Sequence, residues 1–107
     1  MLMTNIESIP GKRIVALCGF VSGSTVRAKI FIRDWAAGIK NFFGGELGGY
    51  TELMEESRKQ ATERMVSQAV KIGANAIINV RYATSAITVG AAEVYAYGTA
   101  VKVEDIK

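Results

Sequence analysis

Five stretches of the chain carry regular patterns of hydrophobic and polar residues, and each predicts one secondary-structure element. The first, from Lys12 to about Gly23, is apolar at almost every position, which predicts a strand that is covered on both faces. Strict alternation divides its apolar residues into two sets: Ile14, Ala16, Cys18 and Phe20 on one face, and Val15, Leu17 and Val21 on the other. Gly19 and Gly23 indicate a bulge, a bend or a close approach of another backbone.

A helix is predicted next. Between Ile30 and Phe43, apolar residues recur at steps of three and four, which is typical of an amphipathic helix. Gly44-Gly45 is expected to end this helix, and Gly48-Gly49 is expected to form a flexible or tightly turned link to the following element.

A second, longer helix is predicted from about Tyr50 or Thr51 to Ile72. Thr51 is its expected N-cap, and Gly73 is the residue expected just past its C-terminal end. We interpret the glutamates of its first turns as a solvated helix start rather than a catalytic cluster. Its predicted buried stripe consists of Met54, Ala61, Met65, Ala69 and Ile72, broadened by Leu53, Val66 and Val70.

Two strands are predicted to close the chain, from Ala74 to Ala86 and from Glu93 to Glu104. Alternation places the residues of the first strand in two sets: Ile78, Val80 and Tyr82 on one face, and Ile77, Asn79, Arg81 and Ala83 on the other. The second strand has a large and a small face: Tyr95, Tyr97, Thr99, Val101 and Val103 against Val94, Ala96, Gly98 and Ala100. Small residues allow close packing, so we assign the small face to the helices.

The predicted order is strand, helix, helix, strand, strand. It indicates a single α+β domain over residues 1–107, with two helices on one face of an antiparallel sheet. Several strands are apolar on both faces, and the predicted elements leave none to cover the second face. We therefore expect the protein to form a homo-oligomer in which sheets meet between subunits.

The chain contains no histidine and one cysteine, and this restricts the chemistry available to it. Without histidine, Ser-His-Asp and Cys-His relays and HExxH zinc sites are excluded. A lone Cys18 cannot form an intramolecular disulfide or a thiolate cage within one chain. Carboxylates are not paired at a recognisable spacing, so we expect the protein not to be an enzyme.

The net charge of +3 comes from 13 Lys+Arg and 10 Asp+Glu residues, and the cations are dispersed along the sequence. This dispersion indicates a solvated surface rather than a nucleic-acid interface. The N-terminal residues lack the features of a signal peptide, and the apolar run from Ile14 to Val21 is shorter than the roughly 20 residues that span a bilayer. We expect a cytoplasmic protein with neither a nucleic-acid nor a membrane partner.

Several motifs together resemble the YbjQ-like family of small bacterial and archaeal proteins. The match covers nearly the whole chain, in order and at similar spacing. It rests on these residues: Cys18-Gly19-Phe20-Val21-Ser22-Gly23, Ile32-Arg33-Asp34-Trp35-Ala36-Ala37-Gly38-Ile39, Gly44-Gly45, Tyr50, Gly73-Ala74-Asn75-Ala76-Ile77-Ile78 and Gly98-Thr99-Ala100-Val101. Family members often have an arginine after the double glycine, where this chain has Glu46-Leu47, so any site that includes that arginine is altered in charge here.

This resemblance implies a dodecin-like α+β fold that assembles into a homo-oligomeric ring, commonly a pentamer. The family is functionally uncharacterised and carries a heavy-metal-binding label. Soft metals require several converging thiolate, thioether or imidazole ligands. Because Met54 and Met65 lie in the predicted core stripe, Cys18 is the candidate metal ligand, and only symmetry could gather several copies of it.

Two functional hypotheses follow. The first is a non-enzymatic, homo-oligomeric binding protein that holds a metal ion or a small ligand at subunit seams or on the ring axis. The alternative is an unrecognised enzyme with an inter-subunit site around Arg33, Asp34 and Tyr50. For Arg33 and Asp34 we favour a structural pair, in which Asp34 favours the helix dipole and Arg33 binds a neighbouring chain, over a ligand contact at a subunit seam.

Overall fold

A four-stranded sheet and one long helix form the α+β fold seen in a computed structural model, which describes residues 1–27, 48–88 and 91–106. The elements in chain order are β1 (Leu2–Met3), β2 (Lys12–Arg27), α1 (Gly48–Lys71), β3 (Ala76–Thr88) and β4 (Ala91–Asp105). The helix predicted over Ile30–Phe43, with Gly44-Gly45, lies outside the described residues.

The sheet has the strand order β1-β3-β4-β2. β4 pairs antiparallel with β2 on one side and with β3 on the other, which confirms the three long strands and their antiparallel arrangement. β1 pairs parallel with β3 through Leu2 and Met3. Two residues are too few to produce an alternating pattern, so this strand has no signal in the sequence.

α1 packs over one face of the sheet through residues spaced four apart. The buried set is Leu53, Ser57, Ala61, Met65 and Ala69. The Ser57 hydroxyl belongs in the stripe because it donates to the Leu53 carbonyl within the helix, 2.8 Å away. The predicted stripe is wrong in including Val70 and Ile72, which are exposed.

The start of α1 also differs from the prediction. The helix begins at Gly48, so Gly48 and Gly49 belong to it instead of forming a link, and Thr51 lies inside the helix rather than capping it. Glycine costs about 1 kcal/mol relative to alanine within a helix, which weakens helix formation without preventing it. The end is as predicted: Gly73 has φ +84° and donates to the Val70 carbonyl at 3.0 Å.

The small face of β4 lies against α1, as predicted. Ala96 and Ala100 are buried in a core cluster with Met65 and Ala69 of the helix. Gly23 of β2 lies so close to α1 that a Cβ atom there would be 2.7 Å from the Arg64 Cβ and would overlap the Ala61 carbonyl oxygen. The absence of a side chain at this position lets the helix backbone contact the strand directly.

Bulges change which face each residue of β2 occupies. The β2–β4 register shifts between Ile14 and Ala16 and again between Leu17 and Gly19, where Gly19 has φ +135°. Strict alternation is therefore wrong across these shifts. Leu17 shares a face with Phe20, because cross-strand partners point the same way and these two pair with Val101 and Thr99 of β4. Cys18 instead packs against the helix-side cluster, together with Val21.

β3 contains a similar irregularity. Its register with β4 shifts between Ile78 and Arg81, and Asn79 within the shift has φ +52°. The predicted grouping of Ile78 with Val80 is therefore wrong. Val80 and Ile77 both belong to the helix-side cluster, whereas Ile78 belongs to a second cluster on the opposite face.

The contacts of that second cluster show that part of the chain does pack on the second sheet face. Residues 2–9, which we call the N-terminal strap, run along β3 before the turn at Pro10-Gly11. Ile9 packs against the cluster on the face opposite α1. The cluster consists of Ala76, Ile78, Val101 and Val103. The expectation that nothing within the chain covers this face is thus wrong for its β3–β4 half.

Candidate functional site on the open sheet face

The sheet face opposite α1, which we call the open face, is covered over one half only. The clearest evidence is a row of three cross-strand partners, Ala76, Val101 and Leu17. Ala76 is 0% exposed and Val101 is 1% exposed, but Leu17 on β2 is 75% exposed. Burial therefore ends abruptly between β4 and β2, within a single row of apolar side chains.

The next row repeats this change. Ile78 is buried, its neighbour Thr99 is half-buried, and Phe20 on β2 is 92% exposed. Ile14, which pairs with the buried Val103, is exposed in the same way. Ile14, Leu17 and Phe20 thus form an exposed apolar column along β2, which we call the exposed column.

A concavity lined by hydroxyl groups adjoins the exposed column. It encloses about 380 Å³ and lies where β2, β3 and β4 continue beyond Phe20. Its polar side chains on the open face are four hydroxyls and one carboxylate: Ser22, Ser24, Ser85, Tyr95 and Glu93. Tyr95 also packs on Tyr97, with ring centroids 5.6 Å apart. We call this site the hydroxyl concavity.

Side chains of α1 reach around the free edge of β2. The Gln68 side-chain oxygen accepts a hydrogen bond from the Ser22 backbone N–H at 2.7 Å. The Arg64 guanidinium donates to the Ser24 carbonyl. These bonds occupy backbone groups that an added strand would need, and the bulges of β2 disrupt the remainder of that edge.

The residues singled out in the sequence are not brought together by the described structure. Arg33, Asp34 and Glu46 lie outside the described residues. Tyr50 lies in the first turn of α1. Cys18 is half-buried on the helix side of the sheet, away from the exposed column. The hypothesis of an enzyme around Arg33, Asp34 and Tyr50 therefore stays a prediction.

The described residues do not offer the donor set of a heavy-metal site within one chain. Across residues 1–27, 48–88 and 91–106, no three side chains of the His, Cys, Asp and Glu types are grouped to hold an ion. Cys18 packs against an apolar cluster, and Met65 is buried in the core. The donors of the hydroxyl concavity are oxygen atoms, which suit hard cations and polar organic groups rather than soft metals.

Comparisons with known proteins agree with the sequence resemblance. The model of the YbjQ family, described as "Putative heavy-metal-binding", matches residues 1–104. A UPF0145 protein of Hahella chejuensis is 62% identical over 104 residues, which cover 97% of this chain and 100% of that protein. The chain belongs to the YbjQ (UPF0145) family. A UPF0145 protein of Thermotoga maritima is 50% identical over 106 residues, covering 99% of this chain and 100% of that protein.

A solved structure also resembles the fold of this YbjQ-family chain. It is a protein of unknown function of the DUF74 family from Pediococcus pentosaceus, with a TM-score of 0.54 and 18% sequence identity, and the match covers 97% of this chain and 98% of that one. At this identity the likeness concerns the fold alone. Among the helical segments that the structure describes, none has the length and apolar character needed to cross a membrane.

Sequence reasoning missed the hydroxyl concavity and the strap. The concavity joins residues from three strands, and its hydroxyls carry no motif that distinguishes them from ordinary exposed strand residues. The strap has a weak signal in retrospect: Ile9 immediately precedes the Pro10-Gly11 turn, and the turn directs it back over the sheet. Because Phe20 lies next to the Gly19 bulge, its exposure could not be deduced from alternation.

Proposed function

We propose that this YbjQ-family chain is a non-enzymatic, homo-oligomeric binding protein of the cytoplasm, whose subunits associate through the exposed column and hold a small polar ligand at the seam. The observation that carries the proposal is the exposure of Phe20 and Leu17 beside buried partners of the same rows. Contiguous exposed apolar surface of this kind is typical of protein–protein contacts.

Burial of the exposed column would provide a substantial driving force. Removing a large apolar side chain from water contributes about 1.5–3 kcal/mol. Phe20 and Leu17 are the two most exposed large apolar side chains in the described part of the chain, so they have the most surface to gain. In a symmetric assembly every subunit buries the same side chains, so the stabilisation is repeated at each interface.

The protected edge of β2 favours association through the face of the sheet. Gln68 and Arg64 bind the backbone of Ser22 and Ser24, so a second chain could pair with this edge only after displacing them. The face carries no such obstruction at Phe20. Sheets of two subunits packed face to face would bury side chains without breaking any hydrogen bond of the β2 edge.

The hydroxyl concavity supports the ligand-binding part of the proposal. Ser22 and Ser24 follow Phe20 along β2, so a subunit packed on the exposed column would close over the neighbouring concavity. Four hydroxyls and the Glu93 carboxylate offer several acceptors and donors, and the described lining contains no cation. These groups suit a small ligand with several hydroxyl or amino groups.

A metal-binding form of the proposal would require donors from several subunits. Cys18 lies on the helix side of the sheet, whereas the proposed contact is on the open face. Contact through the exposed column alone would therefore not gather copies of Cys18. If Cys18 is nevertheless the ligand, Cys18→Ser abolishes stoichiometric uptake of a thiophilic ion by the assembled protein.

The self-association is tested with Phe20→Ser and with Val70→Ser as the matched control, because Val70 is also an exposed apolar residue but lies on α1. Native mass spectrometry of the purified protein counts the subunits, five being expected from the family resemblance. We expect Phe20→Ser to weaken association by about tenfold or more and Val70→Ser to leave it unchanged. A wild-type protein that stays monomeric at micromolar concentration would refute the proposal.

The ligand is tested in the same spectra. A bound organic molecule on wild type that is lost in Glu93→Gln, with the subunit count unchanged, supports the hydroxyl concavity as its site. An ion that remains on Glu93→Gln but is lost on Cys18→Ser would instead support the metal-binding form. Equal retention of the bound species by both variants would contradict both sites.

A further inference from the structure

We infer that Ile9, at the end of the N-terminal strap, is a built-in cover that restricts the self-association surface to the exposed column of β2. This inference rests on the proposed function, since it concerns the extent of the same contact surface. Ile9 packs against the cluster that contains Val101 and Ala76, so its removal would add apolar surface on β4 and β3 to that of Leu17 on β2. Ile9 thereby limits the area through which the sheet can associate.

The strap is held to β3 by a series of hydrogen bonds rather than by a single contact. The Thr4 N–H donates to the Ile77 carbonyl at 3.0 Å, and the Thr4 carbonyl accepts from the Val80 N–H at 3.0 Å. Further along, the Ile6 carbonyl accepts from the Asn79 N–H at 3.0 Å. The Arg81 guanidinium donates to the Asn5 carbonyl at 2.6 Å. Together these four hydrogen bonds fix the position of the strap along β3.

The bulge in β3 makes this docking possible. In a regular strand successive N–H groups point to opposite edges, so only one of two neighbours could reach the strap. The N–H groups of Asn79 and Val80 both donate to it. Asn79 achieves this with φ +52°, a conformation that asparagine tolerates and β-branched residues strongly disfavour. Asn79 is therefore a positioning residue for the strap.

Ile9 provides the covering side chain. Ile9 begins the turn at Pro10-Gly11, and its carbonyl accepts a hydrogen bond from the Lys12 N–H at 3.0 Å. This turn places Ile9 on the cluster of the open face, where Ile78 and Val103 are buried. The cover thus depends on one apolar side chain and is sensitive to its replacement.

Two variants test the inference by analytical ultracentrifugation, with circular dichroism to confirm folding. Ile9→Ser removes the covering side chain, and Ile6→Ser is its control, because Ile6 is an exposed apolar residue of the same strap. Asn79→Val disturbs the bulge while leaving Ile9 in place, and Asn79→Gly is its control because glycine adopts positive φ freely. We expect Ile9→Ser and Asn79→Val to form larger species than wild type and to bind more of a hydrophobic dye.

The outcomes separate this inference from the proposed function. If wild type assembles and both folded variants keep its size distribution and dye binding, the strap is not a cover and the inference fails alone. If wild type is monomeric, the proposed function fails. The inference about the strap is then tested by the variants alone: it is supported if Ile9→Ser and Asn79→Val associate, and it is refuted if both stay monomeric. If Ile9→Ser does not fold, the inference is tested by comparing the size distribution and dye binding of Asn79→Val with those of Asn79→Gly.

Discussion

The two faces of the sheet share the same three long strands but are buried in different ways. On the helix face, one continuous element covers the strands, and Ala96 and Ala100 of β4 are fully buried. On the open face, Ile9 of the strap packs on β3 and β4, whereas Leu17 and Phe20 of β2 are exposed to solvent. A residue's own hydrophobicity therefore does not decide its burial. Its burial depends on whether another element packs over its position.

The faces also differ in how closely their cover can approach. The helix face presents small residues, and Gly23 allows the α1 backbone to lie directly on β2. The open face presents large residues such as Phe20, Tyr97 and Val101. Large side chains hold a covering surface at the distance of a packed sheet, about 10 Å. This difference supports the proposal that another subunit's sheet packs on the open face.

The largest effect that would test this comparison is expected at Met65. Met65→Ala removes a fully buried side chain from the helix-face cluster and should lower the free energy of unfolding by about 3 kcal/mol. Leu17→Ala is the open-face counterpart, and we expect it to change the stability of the isolated subunit by less than about 0.5 kcal/mol. Urea denaturation at concentrations where the protein is monomeric measures both values. Equal losses would mean that the two faces do not differ.

A somewhat smaller loss is expected from Gly23→Ala, which tests the close approach of α1. The added Cβ atom would overlap the Ala61 carbonyl oxygen and the Met65 amide nitrogen, both of which belong to the helix backbone and cannot rotate away. We expect a loss of about 2 kcal/mol from overpacking. The measurement is the melting temperature of Gly23→Ala, compared with that of Ser22→Ala at the neighbouring exposed position. An unchanged melting temperature for Gly23→Ala would show that α1 does not rest on β2 at this point.

The smallest effect compares two tyrosines on opposite faces. The Tyr82 hydroxyl lies 2.8 Å from the Thr62 hydroxyl of α1, an exposed hydrogen bond between sheet and helix. Tyr82→Phe should therefore cost about 0.5–1 kcal/mol. Tyr97→Phe on the open face loses no such bond and should be neutral in the monomer. Chemical denaturation measures the free energy of unfolding of both variants. Equal values would mean that the Tyr82–Thr62 hydrogen bond contributes nothing to stability.

Much of the fold was predictable because it follows from local patterns. The three long strands, the helix ending before Gly73 and the small face of β4 each have a periodic or a turn signal. The errors occur where one residue interrupts a period. In β2 the two shifts cancel, so Leu17 and Cys18 change faces but Phe20 stays on the face of Ile14. In β3 the shift at Asn79 moves the following side chains to the other face, and alternation contains no information about where such shifts occur.

The candidate site was less predictable than the fold. Cys18 stood out by its chemistry, but the described structure packs it on the helix side, whereas the exposed residue is its second neighbour, Phe20. The hydroxyl concavity joins Ser24, Ser85 and Glu93 from three strands, and only strand pairing brings them together. No spacing along the chain could indicate this.

The sequence by itself determined the family, the long strands, the α+β class and an excess of apolar surface that one layer of helix cannot cover. It also excluded histidine-dependent chemistry, because the residue is absent. Only the tertiary structure decided where the excess lies. Val101 is buried in the cluster that Ile9 contacts, whereas Leu17, which is also apolar and directly paired with it, is exposed. The physical reason is that periodicity reports which residues could be buried, whereas burial requires an element that the chain actually brings to that place.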